Sequence, residues 1–164
     1  MKYYKCVQTS FKSASGIEFH TGHFNVDCKV YMTDIQHIFN YIEYGSIILE
    51  LDNVVNPIYD GECMSIDGPE IPGWYSNEFD VVDFWDLFHN FTYYMTLLIA
   101  MGADPTTGNF ILLQKALLYN RKGAKYIKEN WSSIYKIDNI SKYEHQLPEW
   151  EQVEKYLAER GFYY

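Results

Sequence analysis

The segment VYMTDIQHIFNYIEYGSIILELD, residues Val30 to Asp52, decides the fold of this chain. Its apolar start predicts a strand, and Thr33 with Gln36 matches the capping box that begins many helices. Asp34 lies in the first turn, where the helix dipole favours a negative charge. The next apolar residues share one helical face: Ile35, Ile38, Phe39 and Ile42. Gly45 is suited to end the helix in a left-handed conformation, and SIILEL predicts a second strand.

The residues on either side of this segment indicate more strands. KYYKCVQ, from Lys2 to Gln8, has the composition of a strand, and the stretch from Ile17 to Val26 begins with apolar and polar residues in alternation. A long connection rich in Gly and Pro runs from Asn53 to Asn77, with one short strand expected at NPIYDG. The sequence therefore predicts a small mixed β-sheet built from residues 2–62.

After this connection the pattern becomes helical. Helices are predicted at Phe79–Gly102, Asn109–Gly123, Ala124–Trp131 and Leu147–Gly161. In this interpretation Asp80, Asp83 and Asp86 stand near a helix start and stabilise it through the dipole, and Asn109 caps the second helix.

The predicted fold class is therefore α+β. A small mixed sheet with one capped helix, residues 1–76, packs against a helical unit, residues 77–164, as a single domain. The expected core residues are Ile35, Ile38, Phe39, Ile42, Phe84, Leu87, Leu98 and Leu117.

Short motifs in both halves resemble a known class of viral protein. The first strand YKC, a Gly-x-x-Phe-x-x-Gly hairpin, VYMTD and the YG stop are similar to the leader domain that precedes ankyrin arrays in giant-virus proteins, and to short phage domains of that type. LLIAMGADP, KGAKYIKENW and EQVEKYLAERG resemble degenerate ankyrin repeats. The resemblance implies a viral- or phage-type adaptor that binds a partner through its ankyrin-like helical half in the host-cell cytoplasm.

An enzymatic alternative comes from a second resemblance. The strand–helix–strand layout is similar to the start of ADP-ribosyltransferase folds, which implies His20, Tyr31 and Glu62 as residues of an NAD site. The chain contains no GxSxG, P-loop, GxGxxG or HExxH motif. We therefore expect a protein without catalysis and without a cofactor.

Cysteine and histidine usage indicates reduced thiols rather than a metal site. Cys6, Cys28 and Cys63 are an odd, low number, and together with His20 and His23 they match no zinc-ligand spacing. The N-terminus has no apolar signal region, and the apolar runs are too short to cross a bilayer. These features predict a cytoplasmic protein without a membrane span.

Charge is distributed very unevenly along the chain. The formal net charge is −9, and between Lys29 and Lys115 there are thirteen Asp or Glu residues but no Lys or Arg. Ordinary surfaces intersperse both signs. A one-sided negative field repels nucleic acid and anionic membranes and attracts basic surfaces, although acidity of this kind also serves solubility alone.

The sequence therefore predicts an inhibitor, such as an antagonist of host defence, that docks an acidic, aromatic-rich face on a basic protein. The basic protein is expected to be a nucleic-acid-binding or defence enzyme. The candidate partner-binding residues, with the long loop favoured, are Tyr59, Asp60, Glu62, Asp67, Glu70, Trp74, Tyr75, Glu78, Asp80, Asp83 and Asp86. Aromatic anchors supply contact energy in interfaces, and charges steer the approach.

Overall fold

An antiparallel sheet and a set of helices form the α+β fold that the sequence predicts. The computed structural model describes residues 1–13, 15–60, 72–134 and 148–164. The strands are β1 (Tyr3–Val7), β2 (Gly22–Met32), β3 (Ile47–Asp52), β4 (Ile58–Tyr59) and β5 (Trp74–Asp86). The α-helices are α1 (Phe91–Met101), α2 (Thr107–Tyr119), α3 (Arg121–Ile134) and α4 (Trp150–Glu159).

Strand β5 organises the sheet. The order is β1-β3-β5-β2, and the short strand β4, at the predicted position, pairs with the first residues of β5. All of these ladders are antiparallel, so the sheet is not of the mixed type that was expected. The edge strands approach each other at a bridge where Tyr4 and Thr33 exchange two backbone hydrogen bonds of 2.8 and 2.9 Å. The sheet therefore curls until its two edges meet.

The curled sheet separates two apolar clusters. One face buries residues such as Val7, Leu49 and Phe79 among themselves. The other face presents Cys6 and Ile48 to the helices, where they join a larger cluster with residues of all four α-helices. Alternate residues of a strand point to opposite faces, so a single strand serves both clusters.

The predicted capped helix after β2 is wrong in form. A 3₁₀ helix, Ile38–Tyr44, stands in its place, and its N-terminal flank has no side-chain cap. Thr33 is held extended by the bridge to Tyr4, and its hydroxyl donates to the Pro72 carbonyl at 2.6 Å instead of capping. The Asp34 carboxylate accepts from the His37 backbone N–H at 3.0 Å, which stabilises the turn before the 3₁₀ helix. Gly45 has a positive φ, with φ 152° and ψ 159°, but it does not adopt the left-handed helical conformation that was expected.

The helix predicted from Phe79 is also wrong, because Trp74–Asp86 is a strand and α1 begins at Phe91. The sheet therefore extends well beyond residue 62, and the expected unit boundary after residue 76 falls inside β5. Buried Phe79 and Val81 alternate with the more exposed Glu78 and Asp80, which is the period of a strand. The carboxylates of this segment are consequently not helix-start residues.

Most of the expected core is confirmed. Ile38, Phe39, Ile42, Leu87, Leu98 and Leu117 are buried. Ile35 packs partly buried against the same cluster. Phe84 is the error, since 46% of it is exposed and its ring meets Phe11 edge-on at 5.0 Å.

Helices α3 and α4 begin and end within three residues of their predicted positions, whereas α2 ends at Tyr119 rather than at Gly123, which lies inside α3. Asn109 does not cap α2; it lies inside three consecutive left-handed residues, Gly108 to Phe110, that bend the chain at the helix start. Helix α3 approaches α1 closely because Gly123 lies against the Phe91 ring, where a Cβ atom would overlap the ring carbons. Helix α4 starts two residues after Pro148.

Candidate functional site

Two acidic residues of β3 stand directly opposite two acidic residues of the neighbouring strand β5. In the register of this pair, Asp52 stands opposite Asp80 and Glu50 stands opposite Asp83. Like charges at directly opposed positions destabilise a sheet. The fold thus retains two unfavourable pairs side by side.

A bulge in β5 creates this arrangement. Leu51 pairs with Val81, and the next pair joins Glu50 to Asp83, so Val82 is an extra residue without a partner in β3. Without a bulge, residues three apart on a strand point to opposite faces. The extra residue therefore brings Asp83 to the same face as Asp80, which is the kind of redirection that bulges provide.

Glu78 completes the cluster through a shared contact with His23. The His23 ring lies with Nδ1 2.7 Å from Asp80 Oδ1 and Nε2 3.2 Å from Glu78 Oε1. We call the five carboxylates of β3 and β5 the acidic face. Its members are Glu50, Asp52, Glu78, Asp80 and Asp83.

Basic groups neutralise the acidic face only in part. The Lys2 ammonium donates to Glu50 Oε1, and this bond raises the pKa of Lys2. The hydrogen bond to Asp80 raises the pKa of His23, with a smaller contribution from Glu78. One lysine and one histidine thus stand against five carboxylates, and the face stays negative whether or not His23 is protonated.

Backbone and amide donors hold the carboxylates in place. The Asn53 side-chain amide donates to Asp80 Oδ2 at 2.8 Å, and together with His23 it lowers the pKa of Asp80. The Asn53 backbone N–H donates to Asp52 Oδ1 at 2.8 Å, and the Phe84 N–H donates to Asp83 Oδ1 at 2.8 Å. These bonds fix the positions of the three carboxylates on the sheet.

The predicted site residues fall into separate groups. Glu78, Asp80 and Asp83 come together, whereas Asp86 pairs with Ile47 on the opposite face of the sheet from Asp83. Glu62, Asp67 and Glu70 lie outside the described residues. The other predicted members stand at the far end of β5: Tyr59, Asp60, Trp74 and Tyr75.

The aromatic residues at that end differ in exposure. Tyr59 is 57% exposed, and its ring meets Trp74 edge-on at 5.3 Å. Trp74 also contacts Tyr3 at 5.4 Å and packs against the sheet's apolar cluster, so it supports the fold as well as the surface. Tyr75 lies beneath the Lys29 ammonium, 4.5 Å from the ring centroid.

Sequence reasoning did not assign Glu50 and Asp52 to the site, although both stand on one face of β3. It also missed His23 and Asn53 as partners of Asp80. The alternation of apolar and polar residues around Phe79 indicates a strand with Glu78 and Asp80 on one face. This signal was missed because the segment was interpreted as a helix. The pairing of Asp80 with Asp52 depends on the strand order, which has no local signal.

The enzymatic alternative named His20, Tyr31 and Glu62, of which the structure describes only His20 and Tyr31. His20 is exposed, its Nδ1 lies 3.0 Å from the Thr21 carbonyl, and its ring packs 4.7 Å from that of Phe24. Glu62 lies outside the described residues. Within the described residues, no three His, Cys, Asp or Glu side chains are arranged to hold a metal ion.

No protein family, no curated protein and no solved structure matches this chain. The resemblance to the ankyrin-leader domain therefore stays a prediction. None of the helices in the described part of the chain is long and apolar enough to cross a membrane.

Proposed function

We propose that this protein is a non-enzymatic binding protein that docks its acidic face on a basic surface of another protein and thereby inhibits it. One observation carries the proposal, namely the two like-charged pairs that face each other across β3 and β5. Such pairs weaken the sheet. Solubility alone calls for dispersed charge, not for carboxylates concentrated on facing strand positions.

The chemistry of the face favours a cationic partner. Fixed carboxylates project a field that attracts basic surfaces and repels nucleic acid. Because nucleic acid carries a dense row of phosphates, a protein that binds it presents a matching basic groove. A rigid row of carboxylates on a sheet is suited to occupy such a groove, and the exposed Tyr59 adds an aromatic anchor at the other end of β5.

A matched pair of variants tests the proposal. Asp52→Asn with Asp83→Asn removes two charges while the new amides still accept the Asn53 and Phe84 N–H bonds. Glu43→Gln with Glu159→Gln removes the same charge from exposed positions elsewhere. Immobilised wild-type protein and the control variant should capture the same basic proteins from a host lysate, and duplex DNA should displace them.

The acidic-face variant should capture much less of these proteins than wild type does, and it should unfold at a higher temperature than wild type, because repulsion between the facing carboxylates of β3 and β5 has been relieved. If it captures the same proteins as wild type, the acidic face is not the docking surface. If both variants lose capture equally, net charge rather than the site accounts for the binding.

A second candidate is the adaptor suggested by the ankyrin-like resemblance, with contact through the helical half. The exposed end of α2 favours it, since Leu118 and Tyr119 are 58% and 72% exposed. Leu118→Ser with Tyr119→Ser should abolish capture under that reading and leave it unchanged under the first. The proposal includes no catalysis, no cofactor and no metal, and label transfer from NAD to any lysate protein would contradict it.

A further inference from the structure

A cavity opens where the two edge strands of the sheet meet. It lies between β1 and the end of β2, beside the Tyr4–Thr33 bridge, and is closed by the 3₁₀ helix and the loop around Ser13. Its volume is about 210 Å³. That volume accommodates a molecule smaller than most drug-sized ligands.

The charge of this cavity is opposite to that of the chain around it. Only four Lys residues and no Arg occur in residues 1–104, against fifteen Asp or Glu. Two of those four, Lys5 and Lys29, line the cavity, and the described lining contains no Asp or Glu. The strongly acidic segment of residues 1–104 thus places two of its four lysines around this one cavity.

Lys5 lines the cavity and is partly buried. Its Nζ donates to the Tyr31 carbonyl at 2.9 Å, and within the described residues it has no ion pair with a carboxylate. An ammonium group has three N–H donors, and burial of an ammonium group without an anionic partner is unfavourable. Burial lowers the pKa of Lys5 to about 8, which reflects the same missing counter-charge.

The remaining walls are largely apolar and aromatic. Tyr4, Tyr41, Tyr44 and Met32 line the cavity together with the Lys5 and Lys29 stems. Such walls take up a flat hydrocarbon body, while the Lys5 ammonium takes up an acid group. Ser13 and Ser15, whose hydroxyl oxygens are 2.8 Å apart, also line the cavity.

We propose that this cavity binds a small organic anion, an aromatic body bearing one sulfonate, carboxylate or phosphate group, with the acid group on Lys5. The site is separate from the acidic face, so its failure leaves the docking proposal standing. Nothing in the proposal requires a chemical change in the ligand.

Naphthalene-1-sulfonate and its neutral isostere naphthalene-1-sulfonamide form the test pair. Calorimetry on the full chain should show one-to-one binding of the sulfonate and roughly ten- to a hundredfold weaker binding of the sulfonamide, the range expected for a charged hydrogen bond. Naphthalene-1-carboxylate and 1-naphthyl phosphate then show which acid group the cavity prefers.

Lys5→Met keeps the stem and removes the charge, while Lys122→Met removes an exposed charge on α3 as the control. Lys5→Met should lose the preference for the sulfonate and should unfold at a temperature no lower than that of wild type, because the removed ammonium has no ion-pair partner among the described residues. The control should bind as wild type does. Independently of any variant, amide NMR shifts caused by the sulfonate should cluster at Lys5, Tyr31 and Thr33.

Any of three results would overturn the proposal. They are no saturable sulfonate binding up to millimolar concentration, equal binding of sulfonate and sulfonamide, and shifts that cluster away from the cavity.

Discussion

His23 joins two carboxylates of the acidic face through the two nitrogens of one ring. Its protonated form donates to both, which is why its folded-state pKa lies above the ordinary value. The charge of the acidic face therefore changes as the pH passes through the raised pKa of His23. Protonation of His23 makes the face less negative, so binding of a basic partner should weaken as the pH falls.

The His23 contact makes stability depend on pH. A group whose pKa is raised on folding adds stability below its unfolded pKa, about 6.5 for histidine, and loses that contribution as the pH rises through the folded pKa. His23→Gln should therefore lower the unfolding temperature at pH 5.5 and have a smaller effect at pH 8.5. Thermal melts at both pH values check this. An equal decrease at both would mean that the ring acts only through neutral hydrogen bonds.

Two apolar residues test the burial pattern. Ile38 is fully buried in the cluster between the sheet and the helices, so Ile38→Ala should lower the free energy of unfolding by roughly 2–5 kcal/mol. Phe84→Ala should lower it by only about 1 kcal/mol, because the ring is half exposed and contacts mainly Phe11. Urea denaturation of both variants measures the two values. The reverse order would place Phe84 in the core, as the sequence alone predicted.

At the scale of elements, β5 shows what the sequence reveals and what it hides. The strands β1 and β3 were predicted within one or two residues, because their apolar runs end at turn residues. Strand β5 was interpreted as the start of a helix because the residues from Phe79 to Gly102 are apolar on nearly every side of a helical wheel. The bulge at Val82 brings Asp80 and Asp83 onto one face, and it arises from the pairing with β3, which no local pattern encodes.

The 3₁₀ helix also differs from the local prediction because of a contact that is distant in sequence. Thr33 and Gln36 satisfy the capping pattern locally, but the bridge of Thr33 to Tyr4 keeps the backbone extended at the cap position. A contact distant in sequence therefore outcompetes a local preference. The apolar face of the segment was still predicted correctly, since Ile38, Phe39 and Ile42 are buried.

Gly45 tests how the 3₁₀ helix joins β3. A Cβ atom there would overlap the backbone of Val7 in β1, which no side-chain rotation relieves. Gly161 also has a positive φ, but a Cβ atom there meets nothing within 4 Å. Gly161→Ala should cost about 1–2 kcal/mol from backbone strain.

Gly45→Ala should exceed that loss by about 1–3 kcal/mol from the added overlap with the backbone. Chemical denaturation of both variants gives the comparison. Equal losses would show that β1 moves away from the 3₁₀ helix without resistance.

At the scale of the whole molecule, part of the negative charge of the sequence lies on the two neighbouring strands β3 and β5. The sequence predicted an acidic surface, and the described structure concentrates part of it on β3 and β5 next to a bulge. The favoured loop residues Glu62, Asp67 and Glu70 lie outside the described residues, so their part in binding stays a prediction. Which carboxylates meet could not be predicted, because it depends on the strand order and register.

The most direct measurement is the affinity of the purified protein for a captured basic partner as a function of salt. Wild-type affinity should fall as ionic strength rises, since attraction between the surfaces is screened beyond about 8–10 Å. Asp52→Asn with Asp83→Asn should weaken binding at low salt and flatten its salt dependence, whereas Leu118→Ser with Tyr119→Ser should leave both unchanged. Binding that is insensitive to salt, unaffected by the acidic-face variant and lost in the α2 variant would contradict the proposed function and place the contact on the helical half.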